Sequence, residues 1–129
     1  MGNKRRILIV DDASDILEVA QLSLEMTADW EVLTASSGFQ ALEIAAAEQP
    51  DAILLDITMP EMDGITTFEK LQANPTTETI PVILMTARSR LNDRQQFSKL
   101  GIVAAIAKPF DPVNLAQQIA SALSWTLNT

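Results

Sequence analysis

The chain contains no cysteine and no histidine among its 129 residues. Without cysteine it has no disulfide framework, no thiolate metal site and no cysteine nucleophile. Without histidine it has neither Ser-His acid–base catalysis at neutral pH nor a histidine-rich zinc site. These two absences exclude several of the commonest catalytic and metal-binding chemistries.

Basic residues are also scarce, with 9 Lys and Arg against 17 Asp and Glu and a formal net charge of −8. Duplex DNA and anionic membranes both attract basic surfaces, so the acidic excess argues against either partner. No apolar run approaches the ~18 residues of a membrane span. The basic N-terminus is followed only by Ile7–Val10 before Asp11, which is too short for a signal peptide. We therefore expect a soluble cytoplasmic protein.

Hydrophobic residues make up 47% of the chain, which is ordinary for one globular domain of this length. Five short apolar runs predict strands buried in a parallel sheet. The predicted strands are Ile7–Val10, Glu31–Ala35, Ala52–Leu55, Ile80–Met85 and Ile102–Ala107. Segments with helical spacing alternate with them, at Ala13–Met26, Phe39–Glu48, Ile65–Gln72, Leu91–Leu100 and Pro112–Leu123. This alternation predicts an α/β fold with an open, doubly wound parallel sheet and helices on both faces.

The predicted helix ends carry residues that favour helix termini. Ser14 or Asp12 is expected to cap the first helix. Asp111 is expected to cap the last helix, with Pro112 at its first position. Gly101 closes the fourth helix.

Groups that handle charge follow four of the five predicted strands. These are Asp11 and Asp12 after the first strand, Asp56 after the third, Thr86 after the fourth and Lys108 after the fifth. Each has an ordinary explanation by itself, as a turn, cap, strand or solvated residue. Ligands in open parallel sheets, however, bind outside the carboxyl ends of the strands. The shared edge therefore favours a functional site over four unrelated roles.

The three acidic groups indicate a divalent cation if the first and third strands are neighbours. Converging carboxylates repel one another unless a positive charge compensates them. Mg²⁺ suits this set best, because it binds one or two carboxylates together with waters and phosphate oxygens. With Lys108 and Thr86 nearby, the set suits in-line phosphoryl transfer to a carboxylate nucleophile.

The sequence closely resembles the receiver domains of two-component response regulators over residues 6–123. The resemblance rests on an ordered set of motifs: Val10-Asp11-Asp12, Leu55-Asp56-Ile57-Thr58-Met59-Pro60, Met62-Asp63-Gly64, Met85-Thr86-Ala87 and Ala107-Lys108-Pro109-Phe110. It implies a flavodoxin-like strand order of 2-1-3-4-5 with five helices. We expect residues 1–129 to form a single receiver domain without an output domain.

The resemblance also implies a metal site. Asp12 would hold Mg²⁺ directly and Asp11 would hold it through water. Asp56 and the backbone carbonyl of Thr58 would complete the protein ligands.

In the same family, Asp56 would be the phosphoacceptor. It would take a phosphoryl group from the phosphohistidine of a sensor histidine kinase or phosphotransfer protein. Thr86 and Lys108 would bind the phosphoryl oxygens, and the Lys108–Pro109 peptide bond is expected to be cis. Such a protein is not an enzyme for other substrates, since it promotes only its own phosphorylation and dephosphorylation.

Ala105 departs from the family pattern. Receivers commonly carry Tyr or Phe three residues before the lysine, and that ring swings inward on activation. With a methyl group there, the phosphorylation signal is expected to reshape the loop after Thr86 and the face made by the fourth helix, fifth strand and fifth helix. The fourth helix offers a polar, partly basic surface, which is either a partner surface or a solvated face; its residues are Arg90, Arg94, Gln95 and Lys99.

Two other functions remain open at this stage. A phosphorylation-independent protein-binding module is compatible with Ala105. A Mg²⁺-dependent phosphohydrolase would need a second acidic group two residues after the nucleophile, where this chain has Thr58. In every case the downstream protein target is unknown.

We predict that Arg88→Ala changes the half-life of the phosphoryl group on Asp56. By the resemblance, residues 58 and 88 flank that group, and a long cation there would shield it or pair with it. Loss of phosphoryl label after removal of the donor measures the half-life. An unchanged half-life would contradict the prediction.

Overall fold

A computed structural model describes residues 4–125 and the side chains of all of these except Arg88, Leu91, Asn92 and Arg94. The expectations placed on the Arg88 and Arg94 side chains, and on the ends of the 1–129 domain, lie outside the described residues. Within them, none of the helices has the length and apolar character that a membrane crossing requires.

Five parallel strands form one sheet in the order β2-β1-β3-β4-β5. The strands are β1 Arg6–Val10, β2 Glu31–Ala35, β3 Ala52–Asp56, β4 Val82–Ala87 and β5 Ala104–Lys108. The helices are α1 Ser14–Ala28, α2 Gly38–Glu48, α3 Gly64–Ala73, α4 Arg94–Leu100 and α5 Leu115–Leu123. The predicted α/β class, doubly wound sheet, strand order and five helices are all confirmed.

Side chains of each strand alternate between two apolar layers. In β1, Ile7 and Ile9 pack with α1 and α5, whereas Leu8 and Val10 pack with α2, α3 and α4. All four of these side chains are completely buried. Burial on both faces explains why the strand reads as a continuous apolar run rather than an alternating one.

The edge of the sheet that carries the strand N-termini is closed by polar and aromatic contacts. Arg6 forms ion pairs of 2.8 Å with both Glu31 and Glu48. Trp125 packs edge-on against Trp30 with ring centroids 5.3 Å apart, and the Arg5 guanidinium lies 4.5 Å from the Trp125 ring centroid. These contacts join the end of α5 to the starts of β1 and β2.

Two strands begin later than their apolar runs predict. Pro81 has no N–H, and the N–H of Ile80 donates to the carbonyl of Thr77 in the preceding turn. The N–H of Ile102 donates to Phe97 and completes the end of α4, which Gly101 closes with φ 102° as predicted. The first residues of both predicted strands therefore form hydrogen bonds in a turn or at a helix end instead of in the sheet.

The fourth helical segment has two parts. Residues 88–93 form a 3₁₀ helix, and the α-helix occupies only Arg94–Leu100. The sequence predicted one α-helix over 91–100, so its first turn was assigned to the wrong helix type.

Two predicted helix caps are wrong. The first helix starts after Ala13, which makes no side-chain cap, so neither Ser14 nor Asp12 serves as the cap. The last helix starts three residues later than predicted, at Leu115, because Asp111 is used in a turn before it. The Asp111 carboxylate accepts from the Val113 N–H at 2.9 Å and from the Asn114 side-chain amide at 2.8 Å.

That turn also changes the environment of Val113. Helical spacing predicted that this residue packs against the core. Its side chain is instead 76% exposed, because it precedes the helix rather than lying on its buried face.

Gly64 allows α3 to start directly against the end of β3. A Cβ atom at this position would lie 2.4 Å from the Asp56 carbonyl oxygen and 2.7 Å from Ile57 Cα. The N–H of Gly64 also donates to the Ile57 carbonyl at 2.9 Å. The close approach holds the loop after Asp56 against the helix.

We predict that Gly64→Ala lowers the free energy of unfolding by roughly 1–3 kcal/mol, because the added methyl meets backbone that cannot rotate away. Urea denaturation measures the loss, and amide NMR shifts of residues 56–59 report the displaced loop. Gly101→Ala is the control, since it strains a positive φ but lies far from this loop in the chain. Unchanged stability and unchanged loop shifts in Gly64→Ala would refute the prediction.

Candidate phosphoryl-transfer and metal site

The carboxyl ends of β1 and β3 bring three carboxylates together. β1 and β3 are adjacent, with Val10 beside Leu55 in the register. Asp11, Asp12 and Asp56 each place one carboxylate oxygen within 4.8 Å of the others. Asp11 and Asp56 are buried, whereas Asp12 is exposed. The predicted neighbourhood of the first and third strands is therefore confirmed.

Lys108 lies between two of these acids. Its Nζ is 2.9 Å from Asp11 Oδ2 and 3.2 Å from Asp56 Oδ1. The lysine comes from β5, so its side chain spans the width of β4 to reach β3 and β1. The peptide bond between Lys108 and Pro109 is cis, as predicted.

Backbone N–H groups hold the two buried carboxylates. The Ala13 N–H donates to Asp11 Oδ1 at 2.9 Å, and the Thr58 N–H lies 3.4 Å from Asp56 Oδ1. Sequence reasoning missed the Ala13 contact, because it placed the Asp-Asp pair only at the strand end and the helix cap. An aspartate two residues before a free N–H is the signal for such a turn.

Burial and charge act on the site in opposite directions. Burial, and then the neighbouring negative charge of Asp11, raise the pKa of the Asp56 carboxyl, while Lys108 opposes the increase. Burial alone would lower the pKa of the Lys108 ammonium, but its hydrogen bonds and charge interactions with Asp11 and Asp56 outweigh burial and raise it. The surroundings therefore favour the charged form of Lys108 and disfavour the ionised form of Asp56.

Thr86 provides a buried polar atom without a protein partner. It is completely buried, and its Oγ1 makes no hydrogen bond to any residue between 4 and 125 that the structure describes. A buried hydroxyl usually has a partner, since leaving one unsatisfied costs about 1–3 kcal/mol. An unsatisfied hydroxyl on the strand between Asp56 and Lys108 is explained if it binds an additional group.

The residues fit a hard cation. Among the side chains that the structure describes, two buried carboxylates and one exposed carboxylate face one ammonium group, so a positive ion would relieve the remaining repulsion. All the candidate ligand atoms are oxygens, as Mg²⁺ prefers. Asp12 is accessible from solvent, as an ion that keeps waters requires.

The sequence of this chain matches the family model of the response regulator receiver domain over residues 7–120. The chain belongs to this family. Receiver domains are signalling modules, and the fold and the acidic cluster agree with that assignment.

Relatives with solved structures match nearly the whole chain. A response regulator from Chloroflexus aurantiacus is 30% identical with a TM-score of 0.84, over 95% of this chain and 99% of that one. The chemotaxis protein CheY4 of Vibrio cholerae is 25% identical with the same TM-score, over 93% and 99% of the two chains. The structural likeness therefore covers nearly the whole of each compared chain.

Curated relatives are longer than this chain. The response regulator PleD of Caulobacter vibrioides is 43% identical over 95% of this chain but 27% of its own length. The probable transcriptional regulator ycf27 of Cyanophora paradoxa is 36% identical over 98% of this chain and 51% of its own length. This chain thus spans about a quarter to a half of the length of these relatives.

We predict that Asp56→Asn raises the free energy of unfolding by roughly 1–3 kcal/mol at neutral pH without Mg²⁺, because it removes one of two buried acids that share one lysine. A carboxyl with a raised folded pKa contributes stability below its unfolded pKa of about 4 and loses it as pH rises through the folded pKa. The difference between variant and wild type should therefore grow as pH rises from about 4 through the raised folded pKa of Asp56.

Urea denaturation at a series of pH values measures this difference. Glu43→Gln is the matched control, since Glu43 is exposed on α2. If Asp56→Asn is less stable than wild type across the whole pH range, the electrostatic account of the site is wrong.

Proposed function

We propose that the protein is a phosphoacceptor receiver of a two-component phosphorelay, with Asp56 as the residue that is phosphorylated. One observation carries the proposal: Asp56 lies buried between a lysine that contacts it and a second acid, Asp11, that shares the same lysine. This arrangement combines a carboxylate nucleophile with fixed positive charge, as phosphoryl transfer requires.

The transfer step follows from the groups at the strand ends. An Asp56 carboxylate oxygen attacks the phosphorus of a phosphohistidine on a histidine kinase or phosphotransfer protein. An O–P bond forms, the N–P bond breaks, and the donor imidazole leaves with the electron pair and takes up a proton. The product is an aspartyl phosphate.

Lys108 and Thr86 hold the transferred group in this proposal. The Lys108 ammonium already lies 3.2 Å from Asp56 Oδ1, so a small shift brings it to a phosphoryl oxygen. The Thr86 hydroxyl, which has no partner among the described residues, donates to a second oxygen. Both interactions strengthen as negative charge accumulates, which favours the transition state over the free carboxylate.

Asp11, Asp12, Asp56 and the backbone carbonyl of Thr58 would hold Mg²⁺. When bound, the ion would supply the positive charge that offsets the carboxylates and the phosphoryl oxygens. Asp11 would lose part of its share of Lys108 as the lysine turns to the phosphoryl group, and the positive charge of a bound ion would offset that loss.

Signal output is proposed to pass through protein contacts of this domain. The phosphoryl group would draw the Thr86 hydroxyl toward it and so reshape the 3₁₀ segment that begins at residue 88. Partners are a donor kinase or phosphotransfer protein and a downstream protein, and the proposed location is the cytoplasm.

A phosphorylation-independent binding module is the second candidate, and Ala105 is the observation that favours it. Its small side chain is partly buried against the layer that contains α4. A methyl group there cannot change its packing or exposure much if the Thr86 side chain moves. A phosphohydrolase gains no support, since Thr58 occupies the position of the second acid and is exposed.

We predict a labile adduct with the mass of one phosphoryl group when the protein is incubated with Mg²⁺ and acetyl phosphate. Intact-mass spectrometry should detect it in wild type and in Glu61→Gln, whose carboxylate lies in the neighbouring loop. It should be absent in Asp56→Asn and at least about tenfold slower to form in Lys108→Met, which loses a charge-assisted contact.

The outcomes separate the candidates. No adduct in the wild type would favour the passive module, and rapid turnover of a foreign phosphoester such as p-nitrophenyl phosphate would favour the phosphohydrolase. An adduct that persists in Asp56→Asn would place the acceptor elsewhere.

A further inference from the structure

One side-chain hydrogen bond joins α1 to the turn between β5 and α5. The Ser23 hydroxyl donates to the backbone carbonyl of Pro112. Among the described residues, it is the one hydrogen bond between that helix and that turn. Ser23 is buried, and apolar side chains line the groove beside the bond: Val19, Leu22, Met26 and Val113. A hydrogen bond in such surroundings meets less competition from water than one on the open surface, so it holds the two segments together more firmly.

The turn that this bond holds follows Lys108 directly. Residues 109–114 connect β5 with α5. Within them, the Asp111 carboxylate accepts from the Val113 N–H and from the Asn114 side chain, and the Asn114 N–H donates to the Asp111 carbonyl at 3.0 Å. These bonds make the turn a compact unit. A displacement of this unit therefore moves the backbone from which the lysine side chain extends.

The turn also packs on the core through Phe110. Its ring contacts the apolar layer between the sheet and the helices α1 and α5. Apolar packing has no preferred direction, so it keeps the turn on the core but does not define its position along α1. The hydrogen bond from Ser23 to Pro112 is directional, because it weakens when its geometry departs from linear. Ser23 therefore sets the position of the turn relative to α1.

The helix that carries Ser23 starts beside the acid that binds the lysine. Asp11 lies shortly before α1, and its carboxylate is 2.9 Å from the Lys108 ammonium. The Ser23 bond thus closes a ring that runs from Asp11 along α1, across to Pro112, back through the turn to Lys108 and across to Asp11. This ring restricts the positions of the ammonium group. Without the Ser23 bond the ammonium can shift within the site, and a displacement of about 1 Å in a reacting assembly slows a reaction about a hundredfold.

We propose that Ser23 is a positioning residue, whose hydrogen bond to Pro112 fixes the turn after Lys108 and so holds the ammonium in place beside Asp56. Ser23 acts through the turn and the lysine and does not contact the phosphoryl group. The inference rests on the proposed function only where it concerns the rate of phosphorylation. The placement of the lysine is measured separately, in the protein without donor or Mg²⁺.

A set of substitutions separates the hydroxyl from the rest of the side chain. Ser23→Ala removes the hydroxyl alone. Ser23→Thr keeps a hydroxyl, and Ser23→Val has nearly the same shape as Ser23→Thr without one. Thr27→Ala is the control on the same helix, because the Thr27 hydroxyl donates to the Ser23 carbonyl within α1 and does not bond to the turn. Urea denaturation establishes that each variant is folded under the assay conditions.

The first measurement is the rate of adduct formation with acetyl phosphate and Mg²⁺, read by intact-mass spectrometry. The rate should fall at least about threefold in Ser23→Ala and Ser23→Val, and it should stay within about twofold of wild type in Ser23→Thr and Thr27→Ala. A residue that only stabilised the fold would lower the resistance to urea without slowing the reaction of the folded protein.

The second measurement is the ¹H–¹⁵N signal of the Lys108 side-chain ammonium, recorded by NMR without donor or Mg²⁺ and assigned from its loss in Lys108→Met. The signal should shift or broaden in Ser23→Ala and Ser23→Val, because the ammonium exchanges its protons with water more freely once its ion pairs loosen. It should be unchanged in Ser23→Thr and Thr27→Ala.

Equal rates in Ser23→Thr and Ser23→Val would overturn the inference, and so would an unchanged ammonium signal in Ser23→Ala. If the wild type forms no adduct, the proposed function fails and the ammonium signal alone decides the role of Ser23. If the wild type forms an adduct that Asp56→Asn abolishes, but Ser23→Ala reacts at the wild-type rate, the proposed function stands and the role of Ser23 is wrong.

Discussion

The ammonium group of Lys108 lies within hydrogen-bonding distance of two buried carboxylates, Asp11 and Asp56. Each acid would be expensive to bury alone, because a charge in a dry interior loses its hydration. The shared lysine neutralises one of the two negative charges, and the second remains uncompensated. This uncompensated charge makes the site suited to bind a cation and to transfer a phosphoryl group.

Three separate strands must be in the right order for this contact to form. Asp11 directly follows β1 and Asp56 is the last residue of the neighbouring β3, whereas Lys108 is the last residue of β5, two positions away from β3. Apolar layers cover both faces of the sheet, and their burial offsets the electrostatic repulsion at the edge that carries the acidic groups. Gly64 also supports the site. Because it has no side chain, α3 can pack directly against the loop after Asp56 and hold it in place.

The acidic site and a surface cavity of about 280 Å³ lie at the two ends of β5. Lys108 stands at its carboxyl end, and Ala104 and Ala105 stand at its beginning next to the cavity. The segment from Thr86 through the 3₁₀ turn to α4 connects the unsatisfied hydroxyl with the other wall of that cavity. A change at the acidic site therefore has a short covalent path to the surface beside β5.

Local signals in the sequence determined the architecture and the chemistry. Apolar runs buried on both faces predicted a parallel sheet, and the polar residues after those runs predicted which groups meet at its edge. The motif resemblance supplied the strand order, which periodicity alone does not contain. Gly101 was also predictable, because a left-handed helix end depends on a few adjacent residues.

The tertiary structure alone decided how those groups share charge and where competing hydrogen bonds go. Asp111 was free, by sequence, to cap the last helix, but its carboxylate binds the turn before that helix and leaves Val113 exposed. Lys108 was free to be a solvated lysine, but the sheet places it between two acids. The unsatisfied Thr86 hydroxyl and the cavity beside Ala105 likewise have no local signal. Each depends on contacts between segments far apart in the chain, and such contacts exist only once the chain is packed.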